Sequence, residues 1–262
     1  MQMLKRLAGY CKLLWKLNIT KTIYFNLKVF PFHIARKIPV YFFGAVQFPK
    51  LSGKVTIDGT VIKSGMVQFG SEEENIIASN EPTRILVEGE LVLKGENVFA
   101  MATQLLVWVN GKLTIGRHSS IGSFSKIVAF RSILLGNNFL ASWECQIFDT
   151  DFHFIEHIET GVIADANGSI IVGDNVWLGS RVTVLKNTQL PDNCIVALGS
   201  LCNKDYATNS PAGSLIGGVP AKLIKHGIRY INNKKLELKL FHHFQQPDQF
   251  GKFVIKSNFE KE

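Results

Sequence analysis

Along the C-terminal half of the chain, apolar side chains return at every sixth residue. From Ser169 to Lys204 the sequence reads SIIVGD NVWLGS RVTVLK NTQLPD NCIVAL GSLCNK, six units in phase. The fourth position of each unit holds Val172, Leu178, Val184, Leu190, Val196 and Cys202; two residues earlier stand Ile170, Val176, Val182, Thr188, Cys194 and Ser200. So short and strict a period marks a solenoid, whose single unit cannot bury its own apolar face; the hexad is one side of a triangular parallel β-helix. Each side is a short extended segment that sends a medium-sized or β-branched side chain into a narrow shaft. Tight corners with positive φ explain Gly173 and Gly179, with Asp174, Asn175, Asp192 and Asn193 beside them.

Upstream the pattern is strand-like but less regular. VTI, TVI, MVQF, ILVEG, ELVLKG and LLVWVNG predict coils with insertions, the largest over 71–83. The phase locks at Ile115, Ile121 and Ile127 and resumes two residues out of step at Leu135, Ala141 and Ile147. It then breaks for about twenty residues, DTDFHFIEHIETGVIADANGS, and a loop that long inside a regular solenoid is where chemistry is expected. Residues 3–17 place Met3, Leu4, Leu7, Ala8, Cys11, Leu14 and Trp15 on one helical face. That helix either covers the first coil or lies on an anionic membrane, and its ordinary amphipathicity favours the cap. Residues 22–48, aromatic and interrupted by Pro31 and Pro39, read as an irregular linker. The predicted organisation is an all-β solenoid over 51–225, a basic N-terminal extension over 1–50 and a short C-terminal extension over 226–262.

Composition narrows the class. In 262 residues, 46% are hydrophobic and 19% charged, the balance of a globular protein. The first 50 residues hold nine Lys and Arg and no acidic residue, whereas the rest holds 20 basic and 21 acidic residues. The +9 is thus an N-terminal property and the near-neutral body disfavours nucleic acid as a partner. No apolar run reaches membrane-spanning length, and Lys12 and Lys16 interrupt any signal-peptide core. The four cysteines lack metal-ligand spacing; Cys145, Cys194 and Cys202 fall at small or apolar repeat positions and read as reduced core side chains.

The break in the repeat holds Asp149, Asp151, His153, Glu156 and His157. His153 follows closely on a strand, and a histidine so anchored, with carboxylates beside it, is a candidate general base. IFDTDFHFIEHIETG, the six hexads, NKD and GGVPAKLIK together resemble the hexapeptide-repeat O-acetyltransferases, most of all those of bacterial capsule and surface-polysaccharide synthesis and more distantly the galactoside and maltose acetyltransferases. The resemblance covers roughly 50–225 and is closest over 133–225. It implies a left-handed parallel β-helix, against the usual crossover hand. It further implies acetyl-CoA as cosubstrate, no metal, a sugar or glycan acceptor, and a homotrimer with active sites between subunits.

On the matching motifs, His153 takes the place of the catalytic base, with Asp149, Asp151, Trp143 and Trp177 toward the acceptor. Trp177, the backbone N–H of Ser180, Leu198, Asn203, Lys204, Lys222 and Lys225 take places along the cofactor. Gly122–Ser123 stands where galactoside acetyltransferases carry an acceptor-binding Asn, so the acceptor is not expected to be a simple galactoside; Phe124, Trp143 and Glu144 are candidates to line its site instead. Asn203 replaces the threonine common before the lysine of that motif. The implied place of work is the cytoplasm, with the basic N-terminus able to meet the inner face of the membrane. Two other readings stay open. His118, His153 and His157 have spacing similar to the zinc site of γ-class carbonic anhydrases, and a non-catalytic solenoid scaffold would need no cofactor.

Overall fold

The computed structural model describes residues 16–59, 61–71 and 79–245. The helix expected over 3–17 therefore lies almost wholly outside the described residues. The described residues up to 229 form one compact unit and those from 230 onward a second.

The first unit is a parallel β-helix. Its strands fall into three sheets of nine, seven and six, and the chain visits them in rotation. The coil beginning at Ser119–Ile121 goes on to Lys126–Ala129 and Ser132–Leu135, then returns to the first sheet at Leu140–Ala141. Every register within these coils is parallel, so residues one coil apart stack: Ile127 on Ile147, Leu135 on Val172, Leu178 on Val196. The inward positions predicted from the hexads, Val172 to Cys202 and Ile170 to Ser200, are all buried. Where the inward residue is polar, its hydroxyl donates to a backbone carbonyl: Thr188 to Cys202 at 3.0 Å, Ser200 to Ala197 at 2.6 Å. The shaft is widest at the N-terminal end, where Phe42, Phe69 and Phe99 stack with centroids 5.3 and 4.1 Å apart. Further along, the same row narrows to Ile121 and Ala141.

The corners correct one expectation. Positive φ occurs at Asn138, Asn175, Asn193, Glu144 and Arg181 but not at Gly173 or Gly179. Those two glycines are required by close stacking: a Cβ on Gly179 would sit 2.7 Å from the Leu198 nitrogen, and one on Gly173 would collide with Asp192. Asp192 and Asp174 instead act as acceptors for corner N–H groups, Asp192 for Asp174 and Asp174 for Asn137, each at 2.7 Å.

The N-terminal segment also differs from the linker expected over 22–48. Asn18 caps an α-helix, Ile19–Val29, by accepting from the Lys21 N–H. The first coil opens at Val40, ahead of residue 51. Phe25, fully buried, meets Phe42 and Phe48. Asn26 bonds both backbone groups of Val40, Thr22 accepts from the Phe42 N–H, and the Phe42 carbonyl accepts from the Asn18 N–H. The edge of the first strand is thus fully occupied. A proline-rich, aromatic stretch concealed this because the helix is chosen by what it covers. At the far end, Ala221–Lys225 turns back antiparallel on Leu215–Gly218 and closes the first sheet. The second unit contains the helix Lys234–Phe244, capped by Asn233. Among the described residues, no helix is long and apolar enough to cross a membrane.

Candidate active site

Inward residues follow one another at intervals of six in the regular run. At one corner the interval stretches: eight from Ile127 to Leu135, ten from Leu105 to Ile115, and twenty-five from Ile147 to Val172. In all three coils the extra chain leaves between the second and third sheets. The lengthened corners at 108–111, 130–131 and 149–169 therefore neighbour one another along the solenoid.

The longest of them is a projecting hairpin. Its neck is zipped by Gly168 N–H to the Asp149 carbonyl and Asp151 N–H to the Ala166 carbonyl, both 2.8 Å, and its outer part pairs Ile155–His157 with Val162–Ala164. Asp149 is fully buried at the root, where its two carboxylate oxygens accept the backbone N–H groups of Phe130 at 2.6 Å and Arg131 at 2.8 Å. Burial raises its pKa and the backbone donors oppose the rise. Asp151 pairs with Lys186 at 2.6 Å, and the same ammonium donates to the Asp165 carbonyl at 2.7 Å. Arg131 bridges to Asp165 at 2.6 Å; that carboxylate is held below its usual range first by the Asn167 N–H and then by Arg131.

His153 stands on this braced root, exposed. The residue before it, Phe152, has φ +62, a strained value for a non-glycine residue. The Phe152 ring meets Phe130 and Phe148 edge-on, each at 5.8 Å, and its N–H donates to Thr150 Oγ1. Packing on one side and hydrogen bonds on the other thus fix the direction in which the chain carries His153 outward. Asp149 and Asp151 brace the root of the hairpin: the first has both oxygens engaged and the second is paired with Lys186.

The remaining candidates separate by corner. Trp143, Ser180 and Leu198 lie where the first sheet passes to the second, beside Trp177 on the outer face of the first sheet. Trp177 donates from Nε1 to Ser142 Oγ at 3.0 Å, Arg181 pairs with Glu144 at 2.8 Å, and Leu198 is 73% exposed. A cavity of about 560 Å³ opens at this corner, lined by Phe124, Lys126, Glu144 and Arg181 among others. Asn203 and Lys204 are exposed at the second–third corner, two coils after the hairpin, with Lys204 5.4 Å over the Tyr206 ring. Lys222 and Lys225 are exposed on the closing strand. Within one chain His153 and Trp177 thus lie apart, the first at the corner between the second and third sheets and the second on the first sheet.

His118 lies between the third and first sheets, away from His153 and His157, and among the described residues of one chain no group of three or more His, Cys, Asp or Glu is placed to hold a metal. Cys145, Cys194 and Cys202 are free and buried, and burial pushes their thiols up to about 11, 12 and 12. Thiols so placed are core side chains, not nucleophiles.

Comparison with known proteins agrees with this architecture. The structure superimposes on the crystal structure of the polySia specific acetyltransferase NeuO with a TM-score of 0.52, at 18% identity, over 82% of this chain and 91% of that one. The fold is that of the hexapeptide-repeat acetyltransferases, a left-handed parallel β-helix. In sequence the chain is 24% identical over 151 residues, 54% of this chain and 74% of the other, to an Escherichia coli (strain K12) protein provisionally named a lipopolysaccharide biosynthesis O-acetyl transferase, WbbJ. It is 25% identical over 168 residues, 64% of this chain and 72% of the other, to an uncharacterized 24.8 kDa protein in the cps region of Klebsiella pneumoniae. No protein-family model matches the chain.

Proposed function

We propose that the protein is an acetyl-CoA-dependent O-acetyltransferase that modifies a sugar hydroxyl in surface-polysaccharide synthesis and works as a homotrimer. The observation that carries this reading is the hairpin of 149–168, the one long interruption within the coils after Ile127, which holds His153 out on a braced root. The named activity of the relatives supplies the reaction class. The division of the candidates between two corners supports a shared site: His153 comes from one copy, and Trp177 and the Ser180 N–H come from the next.

In that site the imidazole of His153 takes the proton of the acceptor hydroxyl as its oxygen bonds to the thioester carbonyl carbon. The Ser180 N–H meets the oxyanion that develops. The carbon–sulfur bond then breaks, and the departing thiolate of CoA takes the proton back from His153. Leu198 borders the pantetheine arm, Lys204, Lys222 and Lys225 neutralise the phosphates, and Asn203 donates a hydrogen bond to them.

The test is acetyl-CoA binding by calorimetry on wild type and His153→Ala, with metal content recorded and thiol release followed over a panel of sugars. Both proteins bind acetyl-CoA, and the variant loses about 10²- to 10⁴-fold in transfer. Absence of acetyl-CoA binding together with stoichiometric zinc would overturn the proposal and direct attention to His118, His153 and His157.

The N-terminal helix suggests where the reaction takes place. It turns Ile19, Ile23, Tyr24 and Leu27 outward, with Phe32 beyond, in a segment that carries Lys21, Lys28, Arg36 and Lys37. An apolar face with basic flanks suits an anionic bilayer surface at the cytoplasmic side. Co-sedimentation with anionic vesicles but not with neutral ones is the expected result; equal partition into both would refute electrostatic attachment.

A further inference from the structure

Beside the root of the hairpin lies a cleft of about 390 Å³ bordered by Trp108, Asn110, Phe130, Arg131 and Asn167. None of these residues belongs to the base or to the cofactor positions above. Trp108 and Phe130 occupy equivalent corners of successive coils, and their rings stack 5.2 Å apart and 7° from parallel. Trp108 is nevertheless 42% exposed, so this flat double platform presents one aromatic surface to solvent. Phe152, next to His153, closes the far side by meeting Phe130 edge-on.

The rim is polar. Arg131 uses Nη2 on Asp165 and has further N–H groups to offer, and Asn110 is exposed. Asn167 Oδ1 is shut off from solvent without a hydrogen-bond partner among the described residues. An orphan acceptor of this kind calls for an explanation. Asn167 borders the cleft, so a ligand there is a candidate partner for its amide.

We infer that this cleft binds a sugar unit of the acceptor glycan other than the one acetylated. An aromatic platform suits the apolar C–H face of a pyranose ring. Amide and guanidinium groups around it suit the ring's hydroxyls or a carboxylate, and the volume lies within the range of small-ligand sites. A free nucleotide would need several phosphate-binding cations, and the residues bordering the cleft supply one, Arg131, whose charge is already shared with Asp165. The continuity Trp108–Phe130–Phe152–His153 sets the distance between the bound unit and the base, so the cleft selects an oligosaccharide over a single sugar. The inference rests on the transferase reading for its biological sense, but binding at the cleft is independent of it.

The experiment probes full-length protein, fluorescently labelled, on an array of bacterial polysaccharide fragments of graded length, using wild type, His153→Ala, Trp108→Ala and Asn110→Ala. Acetyl-CoA binding is measured on the same samples. Wild type and His153→Ala bind the same fragments, Trp108→Ala loses at least tenfold, and Asn110→Ala, an exposed change that spares the packing, loses a smaller factor on the same set. All four retain acetyl-CoA binding. If Trp108→Ala and Asn110→Ala bind glycans like wild type, or wild type binds none, the cleft assignment is wrong although the transferase reading survives. If glycan binding depends on Trp108 but acetyl-CoA is not bound by any of the four, the cleft stands and the transferase reading falls.

Discussion

Asp149 offers a direct test of how the hairpin is held. Replacing it with alanine removes the acceptors of two backbone N–H groups, those of Phe130 and Arg131, at a point with no solvent access. Each orphaned buried donor costs about 1–3 kcal/mol, so the variant should lose about 2–6 kcal/mol, less what is recovered by no longer burying a carboxylate. At about 2–4 °C per kcal/mol for a chain of this size, the thermal midpoint falls by roughly 4–24 °C before that recovery is subtracted. Asp149→Asn keeps one acceptor and sets an amide NH₂ against the second N–H, so it should fall between the two. The assay is thermal unfolding followed by circular dichroism at matched protein concentration, paired with the transfer reaction below the midpoint. Activity should drop more than stability explains, because Asp149 also locates the strand end from which His153 projects. An Asp149→Ala protein melting within a degree of wild type would refute the reasoning, since the two N–H groups would then have found other partners.

The same carboxyl predicts a pH dependence. Burial holds its pKa above the ordinary 3.8 in the folded chain, so its contribution to stability is full below 3.8 and is lost as pH rises through the folded value. The gap in thermal midpoint between wild type and Asp149→Asn should therefore be wider at pH 3.5 than at pH 7; a gap that widens with rising pH would contradict this. Lys186→Ala removes a partly exposed pair with Asp151 and a bond to the Asp165 carbonyl, so the midpoint should move by no more than about 4 °C while kcat falls several-fold, as separate melting and rate measurements would show. Phe69→Ala opens a cavity in the ring stack between Phe42 and Phe99 and should cost about 3–5 kcal/mol, read as a large loss of thermal midpoint without change in the acetyl-CoA affinity of the folded protein.

Much of the fold was legible because the hexad is itself the structural unit. Each inward position from Ile170 to Cys202 could be named, since one side of the triangle admits one orientation. The two-residue slip between Ile127 and Leu135 was legible as well, but its meaning was not. It marks the corner where Phe130 meets Trp108, and sequence spacing does not disclose that two lengthened corners from different coils lie side by side. Asp149 could be seen as a carboxylate near a histidine; that both its oxygens face backbone N–H groups eighteen and nineteen residues earlier is a property of the stacked coils. The glycines at 173 and 179 were correctly placed at corners for the wrong reason, because positive φ and lack of room for a Cβ select the same residue. The helix Ile19–Val29 stayed hidden because its buried side mixes Thr22 and Asn26 with Phe25 while Ile19, Ile23 and Leu27 face outward, the reverse of the apolar-inward pattern that marks a packed helix.

Those two polar residues bear on the length of the molecule. A parallel solenoid has no internal reason to stop, since each coil offers the next the same ladder it received, and an unprotected end is a template for a second molecule. Here the donors and acceptors of the opening strand are spent on Asn18, Thr22 and Asn26, and at the other end the chain reverses direction in Ala221–Lys225. The reversal confronts an incoming parallel coil with the wrong polarity. Finite size is therefore a feature encoded separately from the repeat. A chain trimmed of its first thirty-nine residues would keep every coil and gain a fibre-forming end.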